Sequence, residues 1–484
     1  MNKYSIINNN YLYKNTLLLY KMEKYKNGLF IFRRDYRVVD NIGLNKLQQV
    51  CENIYTIFIF TPEQLGTSNP YKSTNAVQFM IESLEDLQEQ LHNIGGKLQC
   101  FYGTNISVLS DIIKENQIDI VAFNYDYTPY AVKRDNSIIS MCNKIGIQIL
   151  CSHDYYLVEP QTVLNGSGDP YQKFTPFYTS LLKTEITKPL SSRKLSASSK
   201  KIKINNQSKI ITLNDAMDKF TRINDELAVN GGRQMAKKQL LQALKMQAQY
   251  SKTHNLLDYP TSKLSAYIKF GCVSIREVYK AFKGNHDFIR QLVWRDFYVN
   301  ILYSFPHVLG KSLKPKYDKI KWSHNATYFD AWKTGTTGFP VVDAGMRELN
   351  ATGFMHNRAR LIVASFLVKT LLVDWRKGEQ YFAKKLTDYD VASNNGNWQW
   401  IMGGGADSQP YFRIFNPWLQ SKEYDINANY IKHWIPELKD VPTKAIHNWN
   451  KEYSNYTGIK YVKPIVNYEE QKEKVLDNYA KVFN

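Results

Sequence analysis

GLFIFRRDYRVVDN, residues 28–41, decides how the first third of this chain folds. Gly28–Phe32 is an unbroken apolar run, stopped at once by Arg33, Arg34 and Asp35. A short apolar run closed by a charged turn reads as a strand buried on both faces, and both faces of a strand are hidden when helices cover a parallel sheet. IYTIFIF (54–60) repeats the pattern. Ala76–Leu91 then has helical spacing, followed by LQCFYG (98–103), a helix to Asn116, IDIVAFNYD (118–126) and IGIQILCSHDYYLV (145–158). This alternation predicts an α/β domain with a doubly wound parallel sheet over residues 28–155.

Residues 1–27 form an N-terminal extension whose apolar patch is broken by lysines. It fits neither a secretory signal nor an Arg-rich transit peptide, and Met22 offers a second start that would make residues 1–21 dispensable. Residues 156–222 are mixed and polar and read as a connector. Within them Lys188–Lys209 is Ser-rich, with seven Lys/Arg and no acid, as a solvated loop is. Over residues 223–484 the apolar residues keep helical spacing, for example in FIRQLVWRDFYVNIL (288–302) and NRARLIVASFLVKTLLVDW (357–375). No strand is convincing there, so the second domain is expected to be all-α. No internal repeat is evident.

The net charge of +19 points to a polyanionic partner, nucleic acid first and a membrane surface second. No apolar run reaches membrane-span length. Five cysteines stand singly, without CxxC or Cys/His ligand spacing. That argues against disulfides, zinc and iron–sulfur clusters, and for a reducing intracellular compartment, cytoplasm or nucleus, rather than secretion.

Chemistry concentrates in DWRKGEQYFAKKLTDYDVASNNGNWQWIMGGGADSQPYFRIFNP (374–417). Trp398 and Trp400 stand one residue apart, after the acids Asp388 and Asp390 and the amides Asn394 and Asn395. Tryptophans beside amides and acids in a basic protein suggest a buried aromatic cofactor and a stacked base; a core cluster with a Gly-rich turn is the plainer alternative. In TSKLS (261–265) the hydroxyls and N–H groups at a helix start form either an anion site or a simple cap. Arg360, in MHNRAR (355–360), facing an aspartate forms either a structural ion pair or the polar wall of a cofactor pocket.

Together FRRDYRVVDN (32–41), TSKLSAYIKFG (261–271), QLVWRDFY (291–298), TGFPVVDAGMRELNATGFMHNRARLIVASFLVK (337–369) and the tryptophan-rich segment resemble the photolyase/cryptochrome flavoproteins, most nearly the class I cyclobutane pyrimidine dimer photolyases. The resemblance runs from Gly28 to about Leu438. It implies light-driven repair of cyclobutane dimers in UV-damaged DNA, by one electron passed from excited reduced FAD and then returned.

The resemblance also implies site residues. Tyr250, Thr261, Ser262, Lys263, Leu264 and Ser265 would hold the flavin diphosphate, although the Tyr250–Thr261 spacing is about one residue short. Arg360 and Asp388 would flank the flavin ring, with Asp390 near its ribityl and pyrimidine side and Asn394 at N5. Trp398, Trp375 and Trp322 match an electron-hopping chain from flavin to surface. Trp294 and Trp400 would pack on a flipped-out dimer, with Asn357 and Arg358 at the dimer and its phosphates. Six-four photolyases carry histidines where this chain has Asn357 and Leu361, which argues against six-four repair.

Three departures stand out. Gln291 replaces the usual dimer-contacting Glu, and Leu361 the usual Met. Tyr130 and Ala131 replace the Asn–Glu pair of the folate-binding version, so the antenna position is left to a differently held folate, a deazaflavin, or no second chromophore. The rival readings are a cryptochrome photoreceptor, for whose usual C-terminal extension the residues beyond Leu438 leave little room, and a DASH-type single-strand photolyase, hinted at by Asp296. Outside the family stands a helical nucleic-acid-binding protein without flavin. A monomer is expected.

Overall fold

The computed structural model describes residues 24–190 and 202–483. The readings of Met22, of residues 1–21 and of the middle of the basic stretch therefore lie outside the described residues.

Five strands, β1 (Tyr25–Phe32), β2 (Cys51–Phe60), β3 (Leu98–Tyr102), β4 (Ile120–Asn124) and β5 (Gln148–Ser152), form one sheet in the order β3-β2-β1-β4-β5. All neighbours are parallel, with Phe32 beside Phe58 and Gly28 beside both Ile54 and Ile120. Period-2 geometry sorts each strand's side chains to two faces. Leu29, Ile31, Ile57 and Ile59 join a core under helices α3 (Asn105–Asn116) and α4 (Pro129–Lys144). Phe30, Phe32, Phe58 and Phe60 join the core of α1 (Ile42–Val50) and α2 (Thr74–His92). Asn41, Ser73, Thr104 and Thr128 each accept a first-turn N–H and start these helices.

The connector is more than a linker. It holds α5 (Phe174–Leu181) and α6 (Leu213–Phe220), which bury Phe174, Phe177, Leu181 and Phe220. Phe174, Phe177 and Leu181 sit at i, i+3 and i+7 in a largely polar connector, so average composition hides them. The rest is helical, and among the described residues no strand follows β5. The helices that matter for function are α7 (Ser265–Lys269), α8 (His286–Ser304), α9 (Pro340–Thr352), α10 (Asn357–Lys369), α11 (Trp375–Lys385), α12 (Val391–Met402) and α13 (Tyr468–Phe483).

The α/β and helical parts share one core, in which Phe79 of α2 meets Tyr267 and Phe270 at ring-centroid distances of 5.2 Å. A buried ion cluster joins them as well. Arg276 reaches Asp40 at 3.1 Å and Asp154 at 2.7 Å, and Arg37 reaches Asp154 at 2.5 Å. Burial would raise the Asp154 carboxyl, but the two guanidiniums outweigh it and hold the group at about 2. On α8, Arg295 donates to the Tyr155 carbonyl, and Asp296 and Asn300 accept the Val158 and Gln161 N–H groups.

Between the two parts, at the C-terminal ends of β1, β2 and β4, lies a cavity of about 570 Å³. The strand order reverses there, the usual place for a ligand in an open α/β sheet. Five free cysteines are present, and among the described residues no helix is long and apolar enough to cross a membrane.

Candidate functional site

Along the chain the expected site residues are far apart; in space a sequence of contacts links them. Tyr250 stacks on His254 at 5.0 Å, and His254 bonds Asn255, whose Oδ1 accepts from Arg358 on α10 at 2.8 Å. Lys263 and Arg360 approach the same Phe354 ring, at 5.7 and 5.6 Å. Arg360 then pairs with Asp388 at 2.9 Å. Two residues on, Asp390 caps α12 through the Ser393 N–H. Asn394 ties α12 to α11 by donating Nδ2 to the Glu379 carbonyl at 3.1 Å.

In the TSKLS segment the hydroxyls are not engaged as caps. The five-residue α7 starts at Ser265, its N-cap is Leu264, and no side chain caps it. Lys263 takes φ +46°, a left-handed conformation in which an L side chain is strained. The Ser262 carbonyl is fixed by Gln239 at 2.8 Å. Thr261 and Ser262 are half-buried and Ser265 is exposed.

Asp390, expected beside the flavin's ribityl side, has both carboxylate oxygens engaged otherwise. Oδ1 accepts from Ser393 N–H, and Oδ2 pairs with Arg34 at 3.2 Å, joining the helical part to the α/β part. Burial alone would raise this carboxyl; Arg34, Arg295 and Lys269 reverse that and hold it far below the usual carboxylate range. Arg34 also faces Asp126 and donates to the Lys269 carbonyl. Lys269 is pulled down to about 8, by burial first and by Arg34 second.

The three tryptophans expected to hop electrons are set at different depths. Trp375 is fully buried with an unpartnered indole N–H, Trp398 is 2 % exposed, and Trp322 is half-buried. The ring neighbours of Trp398 are Phe382 at 5.0 Å and Trp332 at 6.2 Å, and that of Trp322 is Tyr479 of α13 at 6.4 Å. Gly378 of α11 makes room for Trp398: a Cβ there would lie 2.2 Å from the indole. Gly396 likewise lets α12 lie against Tyr298 of α8, where a Cβ would fall 2.1 Å from the ring.

The residues expected to meet DNA lie on α8, α10 and α12. Gln291 is exposed and, among the described residues, donates to its own helix at the Asp287 carbonyl. Trp294 is half-buried and stacked face to face on Phe174 of α5, at 3.7 Å and 3°. Asn357 is exposed at the start of α10, and Leu361 and Trp400 are half-buried against the core of the helical part that holds Trp332, Trp375 and Trp398. Arg358 lies over the Tyr424 ring at 4.1 Å.

Two residues of this region escaped the sequence reading. His356 is the N-cap of α10, and its Nδ1 accepts the Arg358 N–H, which assigns the proton to Nε2. Burial first, then Arg360, Arg358 and His254, pull it to about 4, so the ring is neutral and its buried Nε2–H has no partner. Its signal was weak: a histidine where Ser, Thr, Asp or Asn usually caps. Glu379 accepts from Asn395 at 2.8 Å and lines the interdomain cavity, and burial raises it to about 7. Nothing in its helical context distinguished it from a surface glutamate.

Comparison with known proteins fits this geometry. Residues 288–481 match the family profile described as FAD binding domain of DNA photolyase, and residues 29–194 that described as DNA photolyase. The chain is 34% identical to the deoxyribodipyrimidine photo-lyase of Halobacterium salinarum, over 92% of this chain and 97% of that one. A crystal structure of an archaeal photolyase from Sulfolobus tokodaii with two FAD molecules is 39% identical, with a TM-score of 0.83 over 94% of this chain and all of that one. A bacterial class III photolyase from Agrobacterium tumefaciens is 31% identical, with a TM-score of 0.87 over 97% of this chain and all of that one.

Proposed function

Because the chain belongs to the DNA photolyase family, we propose that it is a deoxyribodipyrimidine photo-lyase of the cyclobutane-dimer type, nearest class I, that repairs UV-damaged DNA in light with FAD as cofactor. The observation that carries this reading is the set of unengaged polar atoms around the Arg360–Asp388 pair. Among the described residues, Asp388 Oδ1 and His356 Nε2 are buried without hydrogen-bond partners, as an acceptor and a donor awaiting a polar ligand are. FAD fits them: its diphosphate and ribityl chain accept from N–H groups, and its ring edge offers both donors and acceptors.

The chemistry FAD supplies when bound is light-driven one-electron transfer. The protein binds, orients and tunes. Lys263, with the Thr261, Ser262 and Ser265 hydroxyls and the Leu264 N–H, faces the diphosphate, and Tyr250 flanks it. Arg360 and Asp388 orient the ring. Asn394 is held by its Nδ2, which leaves Oδ1 to accept a hydrogen bond from N5–H and adds no negative charge beside an anionic ring. Asp390 acts one step away, by fixing the N-terminus of α12 and, through Arg34, its place against the α/β part. Trp398, Trp375 and Trp322 carry electrons in from the surface. Gln291, Trp294, Asn357, Arg358, Leu361 and Trp400 face the flipped dimer and its phosphates.

The interdomain cavity suits a second chromophore. Aromatic residues Phe60, Tyr71 and Tyr389 line it beside Arg34, Arg134 and Lys269. A planar ring with an anionic or polar tail matches that lining, and the Sulfolobus relative's two FAD molecules favour a flavin over folate. We further place residues 28–155, 156–222 and 223–484 as antenna-type domain, connector and FAD- and DNA-binding domain, in a monomer working inside the cell; the extension read as residues 1–27 gives up residues 25–27 to β1. The test is illuminated repair of an oligonucleotide with one thymine dimer, by protein reduced beforehand, with FAD release on denaturation measured in parallel. Flavin-loaded protein that repairs nothing in light would turn the reading toward a photoreceptor; folded protein that takes up no FAD would remove it.

A further inference from the structure

Trp294, assigned as a platform for the flipped dimer, does not stand alone. Its indole lies parallel to the Phe174 ring, 3.7 Å and 3° away, which is full face contact. Phe174 is itself fully buried. It comes from the connector helix α5, not from the helical domain. Phe297 meets both rings edge-on, at 5.8 Å from Phe174 and 5.5 Å from Trp294. Tyr178, one turn along α5, lies at 24° and 5.6 Å from Phe174. The Arg290 guanidinium, one turn before Trp294 on α8, approaches Phe174 at 4.8 Å and Tyr178 at 5.5 Å.

One face of Trp294 is therefore covered by Phe174, and Tyr298 lies tilted at 5.4 Å and 32° from the indole, so neighbouring rings set its plane before any ligand arrives. A half-buried tryptophan without such a partner would have to select one rotamer each time a lesion arrived. That ordering is subtracted from affinity. We propose that Phe174 is a positioning residue for lesion recognition: it holds Trp294 in one orientation, so that only the other face is offered to the dimer. In this way the connector is part of the substrate site, although α5 need not touch DNA. The proposal rests on the reading of Trp294 as the dimer platform.

The measurement is dark binding, by fluorescence anisotropy, of FAD-loaded protein to an oligonucleotide with one thymine dimer and to the same oligonucleotide undamaged. Without the stack Trp294 must be ordered on binding, at about 0.5–1.5 kcal/mol for an immobilised side chain, so Phe174→Leu should weaken binding of the damaged strand roughly two- to tenfold. Affinity for undamaged DNA, FAD content and the flavin spectrum should not change, and Phe174→Tyr, which keeps the stack, should bind as the native protein does. If the Leu variant does not fold, Phe174→Met takes its place. Combining the variant with Trp294→Ala decides the mechanism: positioning through Trp294 requires that the two losses fail to add. Additive losses, equal losses on damaged and undamaged DNA, or falling FAD content would show a merely structural role and overturn the proposal. So would a loss in Trp294→Ala with none in the Phe174 variant. If neither Trp294→Ala nor the Phe174 variant loses damage-specific affinity, the platform reading itself fails.

Discussion

Gly378→Ala puts one methyl group between α11 and Trp398, where the packing leaves it no room. The new carbon would stand 2.2 Å from Cη2 and 2.6 Å from Cζ3 of the indole, and 2.7 Å from Cδ2 of Leu367. Carbon atoms in contact sit at about 3.5–4.0 Å, so the ring must withdraw by more than about 1 Å. It has no free space to enter: Trp398 is 2 % exposed, with Phe382 and Trp332 against it. Overpacking of this kind costs about 1–3 kcal/mol. Alanine in place of glycine inside a helix returns about 0.5–1 kcal/mol. The clash outweighs the helix gain, and a net loss of up to roughly 2.5 kcal/mol is expected. Two readouts are needed. The urea midpoint should fall with an unchanged slope. Light-driven reduction of bound oxidised FAD should slow, because the displaced indole is the one assigned nearest the flavin. A variant as stable as the native protein that photoreduces at the native rate would refute both the packing argument and the assignment of Trp398.

Trp398→Phe should abolish most photoreduction of oxidised FAD while leaving repair by chemically reduced protein nearly intact; a native photoreduction rate would show that electrons enter elsewhere. Gln291→Glu restores the family's usual side chain at an exposed position that now bonds its own helix, and it should hold or modestly raise repair per absorbed photon, since one altered hydrogen bond is worth on the order of 1 kcal/mol; a large fall would expose a role for the amide. Asp296 is raised to about 7 by burial, so the folded protein keeps a proton that the unfolded chain has released above about pH 4. Its contribution therefore weakens stability as pH rises from about 4 to 7, by on the order of 4 kcal/mol at most. Thermal melts across that window should show a steeper fall for the native protein than for Asp296→Asn, and parallel curves would contradict the raised value.

Both parts of the fold are legible in the sequence because they rest on periodicity. A short unbroken run such as Leu29–Phe32, closed by a charged turn, suits a covered parallel sheet, and the long i, i+3, i+4 spacing of 288–302 or 357–375 suits helices. The site residues are legible only through the resemblance, since a lone Arg360 or Asn394 in a helix carries no periodic signal. The connector reads as a mere linker because Phe174, Phe177 and Leu181 are too few to colour its composition.

Residue identity and spacing thus determined the sheet and the helices, and the family resemblance supplied the site inventory: the tryptophans, the Arg360–Asp388 pair and the amide at Asn394. What only the tertiary structure decided is which partner each group has. Asp390 and Arg34 are 356 residues apart in the chain and 3.2 Å apart in space, and no local pattern encodes such a pairing. Phe174 and Trp294 meet because α5 folds back on α8. Glu379 acquires its shifted protonation chiefly from burial, and His356 from burial and the cations around it. Hydrophobic periodicity acts within one turn or one strand and is written in order along the chain. Ion pairing, stacking and desolvation depend on distances across the core, which exist only after packing is complete.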